Sequence, residues 1–129
     1  MRGLREALEA DGRIAYALVF GSHATGKAAE ESDLDVAIGL ADHASLSPLE
    51  LGGLVSRLEQ VTAQTVDMVL LEEAPVGLAY RVFRDGRPVF VRDRGAFVER
   101  KARAILEYLD FKPIEDIVAR GVLTRAARG

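Results

Sequence analysis

Two aspartates that flank one leucine are the residues in this sequence best suited to chemistry. Asp33 and Asp35 open an apolar segment that continues through Val36-Ala37-Ile38. Because side chains alternate between the two faces of a strand, both carboxylates leave the same face, with Cα atoms about 6 to 7 Å apart. A hard cation such as Mg²⁺, which prefers oxygen ligands and is readily shared with substrate phosphates, would offset their repulsion. The spacing therefore predicts a site for one or two Mg²⁺ ions.

A glycine–serine turn lies upstream of this pair. Gly21 follows the apolar segment Leu18-Val19-Phe20 and has no Cβ, so a ligand can approach the backbone closely. Ser22 is suited to cap a short helix over residues 23–29, whose free N–H groups would attract an anion. Phosphates held beside metal-binding carboxylates are typical of phosphoryl or nucleotidyl transfer. The opposing interpretation, a surface turn before a solvated acidic strand, fits poorly with the apolar residues that bury both strands.

A third carboxylate stands inside a later apolar segment. Asp67 lies in Val66-Asp67-Met68-Val69-Leu70-Leu71, where a lone charge is costly unless it is paired or binds a metal. If this segment forms the strand beside Asp35, Asp67 enters the same cleft and completes a triad. The alternative is an exposed aspartate at the start of a strand.

Gly21-Ser22, ten intervening residues and Asp33-x-Asp35 together resemble the signature of the DNA polymerase β-like nucleotidyltransferase superfamily. The Gly-Ser-His-Ala-Thr-Gly opening, the short chain and the segment Tyr108-Leu109-Asp110-Phe111-Lys112-Pro113 are similar to its minimal nucleotidyltransferases (MNT). That group is often the antitoxin half of toxin–antitoxin pairs with HEPN-domain toxins. The resemblance covers nearly the whole chain.

The resemblance implies an Mg²⁺-dependent enzyme that transfers AMP from ATP to a tyrosine hydroxyl of a HEPN toxin and releases pyrophosphate. Asp33, Asp35 and Asp67 would be the catalytic residues and metal ligands, since the superfamily has a third acidic residue on a later strand. Gly21 and Ser22 would bind the nucleotide. The partners would be the toxin and ATP, with no membrane and no direct nucleic-acid binding, and homo- and hetero-oligomers both stay open.

One position departs from the family pattern. Many relatives carry arginine where Thr25 stands, so one phosphate contact is neutral here, and Lys27 or Arg81 could replace it. His23 lies beside the turn and is expected to be an exposed loop residue outside the catalytic set.

Two other functions stay open. The first is a non-catalytic antitoxin that neutralises the toxin by covering it. The second is a nucleotidyltransferase that acts on a hydroxyl of a small molecule or nucleic acid, although such relatives generally have additional domains to hold their acceptors. The intact triad favours catalysis over binding alone.

The composition indicates one globular domain over residues 1–129. The chain is 49% hydrophobic and 29% charged, which suits a domain with a real core. The absence of cysteine excludes disulfides and thiolate metal sites, and two histidines argue against structural zinc. No apolar leader or membrane-spanning segment is present, so we expect a cytoplasmic protein.

The charges are unevenly distributed. Residues 1–83 hold 6 Lys and Arg against 13 Asp and Glu, whereas residues 84–129 hold 11 against 7, giving net charges of −7 and +4. The basic residues could meet an acidic partner or a nucleotide, or could be solvated helix and strand faces. They are Arg84, Arg87, Arg92, Arg94, Arg100, Lys101 and Arg103.

The apolar patterns predict an α/β (α+β) fold, with a mixed sheet flanked by helices. Strands are expected at 14–20, 33–40, 66–71 and 87–91, the last at an edge because it contains Pro88. Ser47-Pro48-Leu49-Glu50 is a capping box that predicts the start of a helix. Further helices are expected near the N-terminus, at 75–84, and in a C-terminal helical region at about 95–120, where Asp110–Pro113 would end one helix before the next begins.

Overall fold

The structure is a computed structural model and describes residues 2–25 and 33–128. Within them the chain forms four strands and five α-helices. In chain order they are α1 (Arg2–Glu9), β1 (Ile14–Phe20), α2 (Ser22–Thr25), β2 (Leu34–Leu40), α3 (Pro48–Thr62), β3 (Val66–Leu70), α4 (Val76–Asp85), β4 (Arg87–Val91) and α5 (Arg94–Arg128). A 3₁₀ turn at Leu71–Glu73 joins β3 to α4.

The strands form one mixed sheet in the order β3-β2-β1-β4. β1 pairs antiparallel with both β2 and β4, whereas β2 and β3 are parallel and are joined through α3. β4, with Pro88, lies at an edge as the sequence predicts. The mixed sheet with helices on both faces confirms the predicted fold class.

Two apolar cores cover the two faces of this sheet. On the first face, Leu4 and Leu8 of α1 and Leu54 and Leu58 of α3 pack on the sheet. On the second face, α4 and α5 cover it through Ala79, Val82, Phe83 and Ala104. β1 contributes to both cores because its side chains alternate between the two faces, and the irregularity between Ile14 and Tyr16 places the successive residues Ala15 and Tyr16 in the second core. The result is a three-layer arrangement with the sheet in the middle.

Helix α3 begins where the capping box places it. The Ser47 hydroxyl accepts a hydrogen bond from the Glu50 N–H at 3.1 Å, and the Glu50 carboxylate accepts one from the Ser47 N–H at 3.0 Å. The helix ends at Ala63, whose φ of 55° is left-handed. The Glu59 carboxylate then accepts a hydrogen bond from the Val66 N–H at 2.9 Å, which anchors the start of β3 to the end of α3.

Helix α5 corrects one expectation. The predicted break at Asp110–Pro113 is wrong, because a single helix runs through Pro113 to Arg128. A proline inside a helix removes one hydrogen bond and crowds the carbonyl four residues earlier, which costs about 3 kcal/mol and can kink a helix without ending it. Pro113 is exposed, so its ring meets no packed neighbour.

In the described residues, no helix is apolar over a length that could cross a membrane.

Candidate active site

The candidate site is a row of side chains across one end of the sheet. Phe20 on β1 pairs with Asp35 on β2, and Asp35 pairs with Asp67 on β3. Residues directly opposite each other on neighbouring strands point to the same face and lie about 5 Å apart at their Cα atoms. Asp33 precedes β2 by one residue, two positions before Asp35. The structure therefore places all three predicted carboxylates at the same end of the sheet.

Backbone contacts hold the strand ends that carry these carboxylates. The Leu34 N–H donates to the Thr65 carbonyl at 2.8 Å, which ties the start of β2 to the start of β3. Leu34, Val36 and Val66 are buried against α1 and α3 on the opposite face. Their burial fixes which face the alternating residues Asp35 and Asp67 occupy.

Asp35 differs from the other two carboxylates of the row in its burial. It is half-buried, whereas Asp33 and Asp67 are exposed. Loss of hydration raises its pKa above the ordinary value, and the charges of Asp67 and Asp33 raise the pKa further. The nearby His23 acts in the opposite direction. A carboxylate that is desolvated and repelled by its neighbours gains more than an exposed one from a bound cation.

Gly21 sits directly against Asp35. Its φ is 70°, in the left-handed region that glycine adopts at no steric cost. A Cβ at this position would overlap the Asp35 Oδ2 atom and lie 3.3 Å from Cγ. The missing side chain thus leaves room for the carboxylate and keeps the backbone of the turn accessible.

Ser22 and His23 follow in α2. Ser22 is the first residue of this helix, one position later than a cap, and the Gly21 carbonyl accepts a hydrogen bond from the Ala24 N–H at 3.2 Å. The described part of α2 ends at Thr25, so the predicted continuation to residue 29 and the position of Lys27 lie outside the described residues.

His23 lies beside the carboxylate row, although the sequence predicts an exposed loop residue outside the catalytic set. It is half-buried rather than exposed, its Nε2 lies 3.4 Å from Nε2 of Gln64, and it is near enough to Asp35 to lower the pKa of that carboxyl. Its position directly after the glycine–serine turn was the available signal. The burial of His23 could not be predicted from neighbouring residues, because its contact Gln64 is distant in sequence.

Carboxylate oxygens are the donors that Mg²⁺ prefers, so the chemistry of this donor set fits a hard cation. The raised pKa of Asp35 gives the same indication, because a bound cation would offset the lost hydration and the repulsion that raise it. Within residues 2–25 and 33–128, no three His, Asp or Glu side chains are gathered closely enough to hold one ion. Asp33, Asp35 and Asp67 would therefore turn about their side-chain bonds to converge on a metal.

Two cavities adjoin the turn on opposite faces of the sheet. The larger, about 480 Å³, includes Val19 in its wall, and Val19 packs with α1 and α3 on the face away from Asp35. The smaller, about 330 Å³, includes Phe20 and Gly21 and opens on the carboxylate face. The smaller cavity thus adjoins the carboxylate row through Phe20 and Gly21, whereas the larger one reaches the turn through His23.

The comparisons with known proteins agree with this geometry. The family model described as "Polymerase beta, Nucleotidyltransferase" matches residues 3–95, which include the turn and all three carboxylates. A comparison with curated proteins finds none that matches this sequence.

Several solved structures share the fold. A chain from a toxin–antitoxin crystallised with AMP-PNP superposes with a TM-score of 0.81 at 20% identity, covering 95% of this chain and 97% of that one. A chain from the complex of a tri-AMPylated Shewanella oneidensis HEPN toxin with an MNT antitoxin gives 0.74 at 19% identity, with 95% and 99% covered.

A third structure is more similar in sequence. Its protein, described as a minimal nucleotidyltransferase, is 31% identical over 67% of this chain and 90% of its own, with a TM-score of 0.56. Because the family model spans most of the chain, the turn and the carboxylate row included, this protein belongs to the polymerase β nucleotidyltransferase family.

Proposed function

We propose that this protein is a cytoplasmic, Mg²⁺-dependent antitoxin that transfers AMP from ATP to a tyrosine hydroxyl of a HEPN-domain toxin. The observation that carries the proposal is the placement of Asp35 opposite Asp67, with Asp33 two residues away, beside the turn at Gly21. Family membership supports nucleotidyl transfer. The similar complex that contains a tri-AMPylated HEPN toxin supports the choice of acceptor.

In the proposed reaction, the acceptor oxygen forms a bond to the α-phosphorus of ATP. The bond from that phosphorus to the bridging oxygen breaks, and pyrophosphate leaves. Asp67 is exposed at the open side of the row and accepts the hydroxyl proton. Asp33 and Asp35, together with Asp67, would hold Mg²⁺, which when bound neutralises phosphate charge.

The turn positions the nucleotide. Gly21 lets the backbone approach the phosphates, and Ser22 beside it carries a hydroxyl, which can both donate and accept hydrogen bonds. Because positioning and charge neutralisation supply most of the rate enhancement in such transfers, no nucleophilic side chain is required.

A purely binding antitoxin is the second candidate. It is favoured by the similar structures in which toxin and antitoxin form one complex. A sequestering protein acts in stoichiometric amounts, whereas an enzyme acts in catalytic amounts and requires ATP and Mg²⁺.

The deciding experiment is the intact mass of a HEPN-domain toxin after incubation with ATP, Mg²⁺ and catalytic amounts of wild type, Asp35→Asn or Asp110→Asn. We expect the mass to rise by whole AMP units with wild type and Asp110→Asn, an exposed control, and not with Asp35→Asn. Neutralisation without any gain in mass, or neutralisation that Asp35→Asn retains in full, would leave sequestration as the better account.

A further inference from the structure

The cavity of about 330 Å³ on the carboxylate face lies between the end of β1 and helix α4. The described residues that line it are Phe20, Gly21, Leu78, Arg81 and Asp85. Its volume is at the lower end of the range for small-molecule sites, which is about 300 to 1,000 Å³.

This cavity and Asp67 lie on opposite sides of Asp35. Phe20 pairs with Asp35 from β1, and Asp67 pairs with Asp35 from β3, so the three side chains form one line across the sheet. β3 is an edge strand, which leaves the Asp67 side open to an acceptor. The β1 side is instead covered by α4, and a ligand that reaches Asp35 from there must enter the cavity.

The walls of the cavity combine apolar surface with one exposed arginine, Arg81. Phe20 and Leu78 are half-buried and apolar. Leu78, Arg81 and Asp85 follow one another at i, i+3 and i+7, so they share one side of α4. Asp85 is engaged by the guanidinium of Arg84 at 2.8 and 2.9 Å, whereas no hydrogen bond or ion pair ties Arg81 to a described residue.

We propose that this cavity holds the nucleoside part of the nucleotide. This inference rests on the proposed function and specifies where its substrate binds. The base packs on Phe20 and Leu78, and the Arg81 guanidinium lies over its other face. An arginine side chain is suited to this because its planar, weakly hydrated group stacks well on aromatic rings. The phosphates then extend past Gly21 toward the carboxylates. Arg81 is thus assigned to positioning the nucleoside, rather than to the phosphate contact that the sequence suggested.

The test compares two ligands by calorimetry in the presence of Mg²⁺: ATP, which has a nucleoside, and inorganic tripolyphosphate, which has none. Leu78→Trp fills the cavity, and Arg81→Gln removes the stacking group without changing its length much. We expect each variant to weaken ATP binding about tenfold or more and to leave tripolyphosphate binding within about twofold. Arg94→Gln is the control, since Arg94 is an exposed arginine outside this cavity with no ion pair to a described residue, and it should bind both ligands as wild type does.

The outcomes separate this inference from the proposed function. Asp35→Asn should weaken both ligands, because both bring phosphates to the carboxylates. If it does so while Leu78→Trp and Arg81→Gln bind ATP normally, the cavity assignment is overturned and the proposed function stands. Equal loss of ATP and tripolyphosphate in Arg81→Gln also overturns it. If neither ligand binds in a manner that depends on Asp35, the proposed function fails with it. Should Leu78→Trp not fold, the exposed Arg81 carries the test.

Discussion

At the scale of single residues, Gly21 and Asp35 depend on each other. The carboxylate occupies the space that a side chain at position 21 would take, and the backbone at position 21 adopts an angle that favours glycine. From the sequence, the need for glycine could be predicted from the turn alone. That Asp35 is the group requiring the space could not, because the contact depends on the register between β1 and β2.

Gly21→Ala is expected to destabilise the protein and to impair nucleotide binding. The left-handed angle costs alanine about 1 to 2 kcal/mol, and the new methyl group must also displace the Asp35 carboxylate. Urea unfolding measures the stability change, and Mg²⁺-dependent ATP binding measures the displacement.

Gly52→Ala is the matched control for this substitution. Position 52 lies inside α3, and a Cβ there meets nothing within 4 Å. We expect this variant to gain about 0.5 to 1 kcal/mol through helix propensity and to bind ATP normally. Two alanine substitutions with the same effect on binding would contradict the role assigned to Gly21.

The raised pKa of Asp35 predicts how stability depends on pH without Mg²⁺. Below the ordinary pKa, the carboxyl is protonated in both folded and unfolded chains, and no penalty applies. As pH rises through the raised pKa, the folded protein must ionise a repelled, partly desolvated group, so stability falls relative to a chain that lacks this carboxyl. Asp35→Asn should therefore melt higher than wild type at pH 7 by a few °C, and the gap should narrow toward pH 3.5.

Thermal melts across this pH range test the effect, with Asp110→Asn on the exposed surface of α5 as control. Addition of Mg²⁺ should raise the melting temperature of wild type and not of Asp35→Asn, because binding to the native state alone is stabilising. An equal response of both proteins to Mg²⁺ would remove the proposed site.

At the scale of elements, the features that depend on neighbouring residues could be predicted from the sequence, and those that depend on distant contacts could not. The capping box of α3, the interior strand β1 and the edge position of β4 follow from neighbouring residues, and the structure contains each of them. The helix through Pro113 and the half-buried His23 were missed. The cost of a proline can be offset by the hydrogen bonds in the rest of a long helix. The burial of His23 involves Gln64, and β2 and α3 lie between these two residues in the sequence.

The basic residues of the C-terminal half show the same limit. Arg92 donates to the Ile14 and Glu9 carbonyls, and Arg100 is buried with a hydrogen bond of 3.0 Å to the Leu71 carbonyl. Arg84 and Arg103 are paired with acidic side chains. Much of this run therefore serves the fold, and the positive charge of the half is a poor guide to a docking surface. Of the run, Arg87, Arg94 and Lys101 are exposed, with no ion pair to a described residue.

Arg100→Ala is expected to destabilise the protein by about 1 to 3 kcal/mol, because it leaves the Leu71 carbonyl without its partner and a void beneath α5. Arg103→Ala should cost less than about 1 kcal/mol, since its pairs with Glu72 and Glu107 are exposed. Urea unfolding of the two variants gives both values. Similar costs for both would mean that burial of Arg100 contributes little.

At the scale of the whole molecule, helix α5 extends beyond the body that it covers. The last buried side chain among its described residues is Ala104, and Tyr108 stacks on Tyr80 of α4 with ring centroids 3.9 Å apart. Leu106 and Leu109 are apolar yet 63% and 58% exposed. The family match ends at residue 95, so most of this helix is additional to the matched region.

A chain that ends after Lys112 should therefore keep its fold and its Mg²⁺-dependent ATP binding. The contacts of Ala104 and Tyr108 remain, so we expect a change of less than about 1 kcal/mol, which is a shift of no more than a few °C in melting temperature. Removal of the whole helix after Asp93 should instead expose the core residues that this helix covers, Tyr16 and Phe83 among them, and prevent cooperative folding. A large loss on the shorter truncation would show that residues after 112 pack on the domain.

The position of Arg100 has a consequence for how such proteins diversify. The residues proposed for catalysis and nucleotide binding lie between Phe20 and Asp85, whereas α5 meets the rest of the domain mainly through Phe97, Arg100, Ala104 and Tyr108. A relative could therefore differ in the outer surface of this helix and keep the residues proposed for catalysis, provided that an arginine still reaches the Leu71 carbonyl. A chimaera that carries the α5 of a relative, with an arginine at position 100, should retain the Mg²⁺-dependent ATP binding proposed for this protein.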